Sequence, residues 1–332
     1  MTSHFARRAL TRGSATALLL CTSFPTLLAQ ETIEGAFALP GVPQAVNGQL
    51  KVVETGPLSR EIELVFTDKA TGEQIEDFDL ELTKELHILA TDAGLTHLIH
   101  QHPDGVAADG TFTATLEFPE PGRYHIYTDA VPTGLGQQVL RFDVTVGDET
   151  ETTQSQPATT DSATGELVSS DGPYTVTLDA SQLKAGVESA VSLLVEKDGA
   201  PAADLEPYLG VSAHAVFIRA EDLAYVHAHA TPGDDALGHE AHEAPAPHHA
   251  TEPDAGGHEH GAMAAGHENG HDAAPAPQEA HDSHAAAAAG SVEPEMSLHV
   301  TPPAPGTYAL WIEFIGGEEI RTVPFTIEIP EN

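Results

Sequence analysis

"PEPGRYHIYTDA", residues 119–130, returns in altered form as "PAPGTYALWIEF" at residues 303–314. Each stretch opens on a Pro-Gly turn, places a tyrosine (Tyr124 or Tyr308) two residues after the glycine, and runs on in β-branched and aromatic residues. Runs of that composition favour extended strands. A tyrosine just after a turn marks the corner of an immunoglobulin-like sandwich. The pair of stretches therefore predicts an all-β fold that occurs twice.

Upstream the duplication continues. "GEQIEDFDLELTKELHILATDAGLTHLIHQH" (residues 72–102) maps without a gap onto "GAPAADLEPYLGVSAHAVFIRAEDLAYVHAH" (residues 199–229) at an offset of 127. Few identities survive this mapping, yet His87 meets His214, His100 meets His227 and His102 meets His229. At the Pro-Gly-x-Tyr stretches the offset has grown to 184, so 57 residues are inserted in the second copy. Other strand-like runs are "REIELVFTD", "TFTATLEF" and "QVLRFDVTV" in the first copy, with "SAVSLLVEK" and "RTVPFTIEI" in the second. No strand–helix alternation is present. Two Greek-key sandwiches of roughly 110 residues each are expected, at 30–147 and 173–332.

The remaining segments are of other kinds. Residues 1–29 combine Arg7, Arg8 and Arg12 with an apolar run and a small-residue end, the pattern of a cleaved signal peptide. The expected location is secreted or periplasmic. Cys21, the single cysteine, lies in that run, and Leu18-Leu19-Leu20 before it is a poor lead-in for lipid attachment. Residues 148–172 are polar and acidic and read as a linker. The insertion, about 230–290, holds His239, His242, His248, His249, His258, His260, His267, His271, His281 and His284. It also carries eleven acidic residues and no lysine or arginine, in a background of Ala, Gly and Pro that cannot bury a core. A disordered His-rich loop is expected there.

Charge narrows the partners. The chain has 13 basic and 51 acidic residues, a formal net charge of −38. Nucleic acid and anionic membrane surfaces suit it poorly, and cations suit it well. No stretch after the leader is long and apolar enough to span a membrane. With no cysteine after the leader, any metal site must be built from His, Asp, Glu or Met.

The repeated histidines fit that demand. If the strands holding His87 and His100 form a hairpin with a symmetric four-residue loop, those two residues face each other directly, with His102 on the same face. The same arithmetic places His214 opposite His227, with His229 beside them. Each domain would then carry its own three-imidazole patch, suited to Zn(II), Cu(II) or Ni(II), with zinc or copper(II) favoured and with water, a carboxylate such as Asp104 or another histidine as a fourth ligand. Met263 and Met296 are the only methionines after the leader, which argues against a Cu(I) site. His97 falls on the opposite face. His125 and His299 are not repeated and read as ordinary strand residues. The plainer account of the trios is hydrogen-bonded packing, since Leu89, Leu98, Val216 and Tyr225 share their face. For the insertion, the plain account is a solvated linker, against a flexible pool of metal ligands.

The residues "LHILATDAGLTHLIHQHPDG … FPEPGRYHIYTDAVPTG", together with "YLG", "HAV" and "LAYVHAH" in the second copy, resemble bacterial secreted tandem-domain proteins with YtkA-like or CopC-like immunoglobulin-type modules. The resemblance implies a sandwich fold and metal handling in the cell envelope, with another envelope metal-handling protein as a partner. Copy two departs from its pattern where Thr231-Pro232 replaces a direct His-Pro ending. The function expected is non-enzymatic binding of divalent metal, for buffering, scavenging or delivery. The alternatives are a tandem structural or interaction module and, more remotely, a copper-zinc superoxide dismutase-like enzyme. The dismutase reading lacks its cysteine pair. No Ser-His-Asp set or phosphate loop points to other chemistry.

Overall fold

The computed structural model describes residues 30–147, 166–233 and 292–332. The signal-peptide reading of 1–29, Cys21, most of the linker and all ten histidines of the insertion lie outside the described residues. Among the described residues no helix is long and apolar enough to cross a membrane.

The chain is all-β and forms two sandwiches. The first contains β1 (Gln30–Glu34), β2 (Ala36–Phe37), β3 (Val46–Glu54), β4 (Ser59–Asp68), β5 (Phe78–Asp79), β6 (Leu86–Asp92), β7 (Leu98–Gln101), β8 (Thr111–Glu117), β9 (Gly122–Pro132) and β10 (Gln138–Val146). One sheet runs β1-β3-β4-β8 and the other β2-β10-β9-β6-β7. Passing from β4 to β6 and from β7 to β8 changes sheet, which is the Greek-key crossing the sequence predicts. The second contains β11 (Glu166–Asp171), β12 (Tyr174–Asp179), β13 (Ser189–Lys197), β14 (Ala200–Pro201), β15 (Leu205–Glu206), β16 (Ala213–Arg219), β17 (Tyr225–Pro232), β18 (Glu295–Val300), β19 (Gly306–Gly316) and β20 (Glu319–Ile329). Its two layers join where β17 pairs with both β16 and β18.

The tyrosine corners form as the opening motif requires. Tyr124 Oη donates to the carbonyl of Glu120 at 2.9 Å, and Tyr308 Oη to that of Ala304 at 2.7 Å. Gly306 in the second turn has φ +139°, and a Cβ there would lie 2.7 Å from the Glu221 carboxylate, which accepts from the Thr307 amide. Only glycine suits that position.

Two boundaries differ from expectation. Glu166–Asp171 is a strand paired along its length with β12, so the second domain begins inside the stretch that reads as linker. Leu167 supplies the reason: it is fully buried in the core of that domain, while the adjacent Val168 stays exposed. β17 likewise continues to Pro232, past the expected start of the insertion.

Among the described residues three apolar clusters hold the fold together. Two are the separate sandwich cores, around Phe66, Ile126 and Phe142 in the first domain and Phe217, Leu310 and Phe325 in the second. The third belongs to neither domain: Leu89, Tyr127 and Val139 pack with Val216, Ile218, Tyr225, Ala309 and Trp311. The sheets containing β6 and β16 therefore face one another. This explains why β6 is buried at every residue, when a half-solvated strand would alternate. Tyr127 and Tyr225 stack at 5.2 Å with ring planes 19° apart, and Tyr127 Oη donates to the Leu223 carbonyl.

Candidate metal centre

The histidines enter this interdomain face from β6 and β7 in one domain and β16 and β17 in the other. β6 pairs with β9 so that His87 sits opposite Asp129, and β16 pairs with β19 so that His214 sits opposite Glu313. Side chains of paired residues share a face. Each domain thus brings imidazoles and one carboxylate to the same contact surface.

The hairpin register differs from the expected one by two residues. His214 pairs with His229, and Leu89 rather than His87 pairs with His100. The loops are longer than four residues, as Thr91 pairs with Leu98 and Ile218 with Tyr225. In the first hairpin the Asp92 carboxylate organises the longer loop by accepting from the amides of Gly94, Thr96 and His97. A slip of two keeps every side chain on its face, so the trios stay together while their pairing changes.

The six histidines do not form two separate patches. His87 and His227 ring centres are 5.3 Å apart, His100 and His214 5.6 Å, and His87 and His214 6.3 Å. His214, His227 and His229 place one ligand atom each within 4.8 Å of one another, and so do His87, His100 and His227 across the domain boundary. The first set is the second copy's trio as expected. In the second set His227 takes the place expected for His102, whose Nε2 lies 3.1 Å from His87 Nδ1.

Outer contacts orient the rings. His87 Nε2 lies 3.1 Å from the Glu81 carbonyl and His214 Nε2 3.1 Å from that of Tyr208, positions equivalent in the two copies. A ring that donates from Nε2 turns the Nδ1 lone pair inward. His100 Nδ1 lies 2.6 Å from Glu313 Oε2, which leaves Nε2 buried and without a partner. His227 Nδ1 and His229 Nε2 are also buried without partners, as is Glu81 Oε2. Metal-bound histidines commonly bind carboxylates or carbonyls through the other ring nitrogen. His214 Nδ1 and His227 Nε2 are 3.1 Å apart, close to the ~3.3 Å separating two nitrogens on one tetrahedral zinc with bonds of about 2.0 Å.

Burial sets the protonation. It lowers the His87 and His229 pKa values to about 4 and those of His102 and His214 to about 2; His227 also falls well below its usual range. These rings are neutral at pH 7, the form that binds metal. Burial, reinforced by the charge of Asp129, raises Glu81 to about 8, and burial raises Asp129 above the ordinary carboxylate range. Among the described residues neither Asp129 nor Glu313 forms an ion pair with lysine or arginine. A cation would offset the cost of burying these carboxylates.

A comparison with protein families matches residues 45–148 and 168–260, more than half of the chain, to "Domain of unknown function (DUF8832)". The chain belongs to that family. The two matched segments contain all six clustered histidines and Asp129, while Glu313 lies beyond them. No curated protein matches the chain.

Other expected residues fall elsewhere. Asp104 is exposed, whereas the clustered imidazoles are buried or half-buried between the domains. His97 is exposed and bonds to Thr96; His125 pairs with Asp143 at 2.6 Å; His299 is exposed on β18. Sequence reasoning missed Asp129, Glu313, Glu81 and Tyr225. One signal was present: Asp129 and Glu313 coincide at the offset of 184, acidic residues among apolar strand neighbours.

Proposed function

We propose that this is a non-enzymatic protein of the cell exterior that holds a divalent metal, zinc or copper(II), between its two sandwiches, for buffering, scavenging or delivery. The observation that carries the reading is the set of buried, unpartnered nitrogens on His100, His227 and His229 beside the carboxylates of Asp129 and Glu313. Buried polar atoms are normally satisfied, and a metal ion satisfies nitrogen and oxygen together. The His-rich insertion adds a pool of imidazole and carboxylate ligands that collects metal. The placement outside the cytoplasm rests on the leader, and the resemblance to YtkA-like and CopC-like modules supports the metal. A metal-handling protein of the envelope is the fitting recipient.

Calorimetric titration of the leaderless protein with zinc and with copper(II) tests this. Tight binding that survives replacement of the ten insertion histidines by alanine, and is lost in the His100→Ala, His227→Ala double variant, is the expected result. The stacked tyrosines and the His100–Glu313 contact favour a second reading, in which the cluster only locks two domains of an interaction module together. That reading expects the same interdomain geometry with metal or with chelator.

A further inference from the structure

We infer that the interdomain cluster takes two divalent ions rather than one, joined through the ring of His227. The inference rests on the metal-binding reading above and deepens it.

Two ligand groups share a single member. His87, His100 and His227 form one, His214, His227 and His229 the other. The two ring nitrogens of His227 look in different directions. Nε2 lies 3.1 Å from His214 Nδ1, within its own domain. Nδ1 is buried without a hydrogen bond and lies 3.7 Å from Asp129 Oδ2, and Asp129 is the cross-strand neighbour of His87. One nitrogen thus addresses each group.

Ligand number argues the same way. Five imidazoles in the two groups exceed the four positions of a tetrahedral zinc site. Divided between two ions, they give each ion three nitrogens, counting His227 once from either side. Both carboxylates border the cluster: Asp129 is the cross-strand neighbour of His87, and Glu313 is that of His214 while its Oε2 lies 2.6 Å from His100 Nδ1. The chemistry is a ligand exchange with no redox change. The first ion takes one lone pair of neutral His227. The second takes the other nitrogen, whose proton leaves to solvent, so the ring bridges as imidazolate.

The test uses copper(II) on the chain with its ten insertion histidines replaced by alanine. Native mass spectrometry counts the ions, and electron paramagnetic resonance reads whether they communicate. Two copper ions per chain are expected, with the integrated signal rising through the first equivalent and falling through the second as the bridged spins couple. His229→Ala and His87→Ala each remove one group only. Each is expected to bind one copper with an undiminished single-ion signal, which keeps the idea testable if His227→Ala fails to fold. If His227→Ala folds, loss of the coupling is expected. One copper at saturation, or two with full uncoupled intensity, overturns the shared bridge while leaving the metal-binding reading intact. No tight copper at all overturns both.

Discussion

His100 Nδ1 of the first domain lies 2.6 Å from Glu313 Oε2 of the second, and both side chains are almost wholly buried. Its counterpart crosses the other way, with His227 Nδ1 of the second domain 3.7 Å from Asp129 Oδ2 of the first. Each domain therefore supplies a carboxylate to a histidine of its neighbour. A reciprocal exchange of this kind ties the assembly of the cluster to the docking of the domains.

Breaking the closer pair on one side is expected to be costly. His100→Ala leaves the Glu313 carboxylate buried beside Thr322 alone, and losing one partner of a buried pair costs about 3–5 kcal/mol. His100→Ala combined with Glu313→Ala should destabilise by less than the sum of the two single changes. Urea denaturation of all four proteins closes the cycle, and simple additivity would show the pair is uncoupled.

Acid should weaken the metal-free protein. The lowered pKa values of His87 and His229, near 4, and of His102 and His214, near 2, mean that the unfolded chain binds more protons than the folded one below pH 6.5. Stability is then lost as pH falls from about 6.5 toward 4, with His87 and His229 each contributing on the order of 3 kcal/mol. Glu81, raised to about 8, acts with opposite sign, because its contribution is complete below pH 4.5 and fades as pH rises through 8. The histidines outnumber the raised carboxylates, so the unfolding midpoint should climb from pH 4 to 6.5 and flatten or decline above 7. A midpoint that falls between pH 4 and 6.5 contradicts this balance.

The stacked tyrosines should govern docking more than folding. Neither Tyr127 nor Tyr225 belongs to a single-domain core. Tyr225→Ala removes the stack and the hydrogen bond to Asp129, a change of the size that costs about 3–5 kcal/mol in a core. The expected outcome is a larger radius of gyration by small-angle scattering and zinc binding weakened by tenfold or more, with strand content by circular dichroism unchanged. Loss of strand content would show that the sandwiches need each other to fold.

β17 ends at Pro232, three residues after His229, and the His-rich stretch follows in the sequence. If it feeds the cluster, replacing its ten histidines by alanine should slow zinc uptake at low metal concentration without changing the affinity of the interdomain site. Stopped-flow competition with a chromophoric chelator measures both quantities. Equal uptake rates would remove the handover.

The sandwich fold was legible in the sequence because its signals are local. A Pro-Gly-x-Tyr corner and alternating apolar residues act within ten residues of one another, and "SAVSLLVEK" coincides with β13. β3, β12 and β18 were missed: Gly48 interrupts the apolar pattern of β3, β12 is only six residues long, and β18 takes its register from β13, distant in the chain. The histidine trios were also legible, since period two and a repeated spacing place residues on a face whatever the exact register.

Pairing within the trios was not legible, because it depends on Asp92 organising a six-residue loop through backbone amides. Nor was the meeting of the two trios, or the role of Asp129 and Glu313. Those follow from the packing of two apolar sheet faces, Leu89 and Tyr127 against Val216 and Tyr225. The sequence by itself determined two β-sandwiches, each presenting histidines on one face. Tertiary structure alone decided that the faces are joined into one buried cluster, because burial between domains is a property of two surfaces together and of neither sequence segment alone.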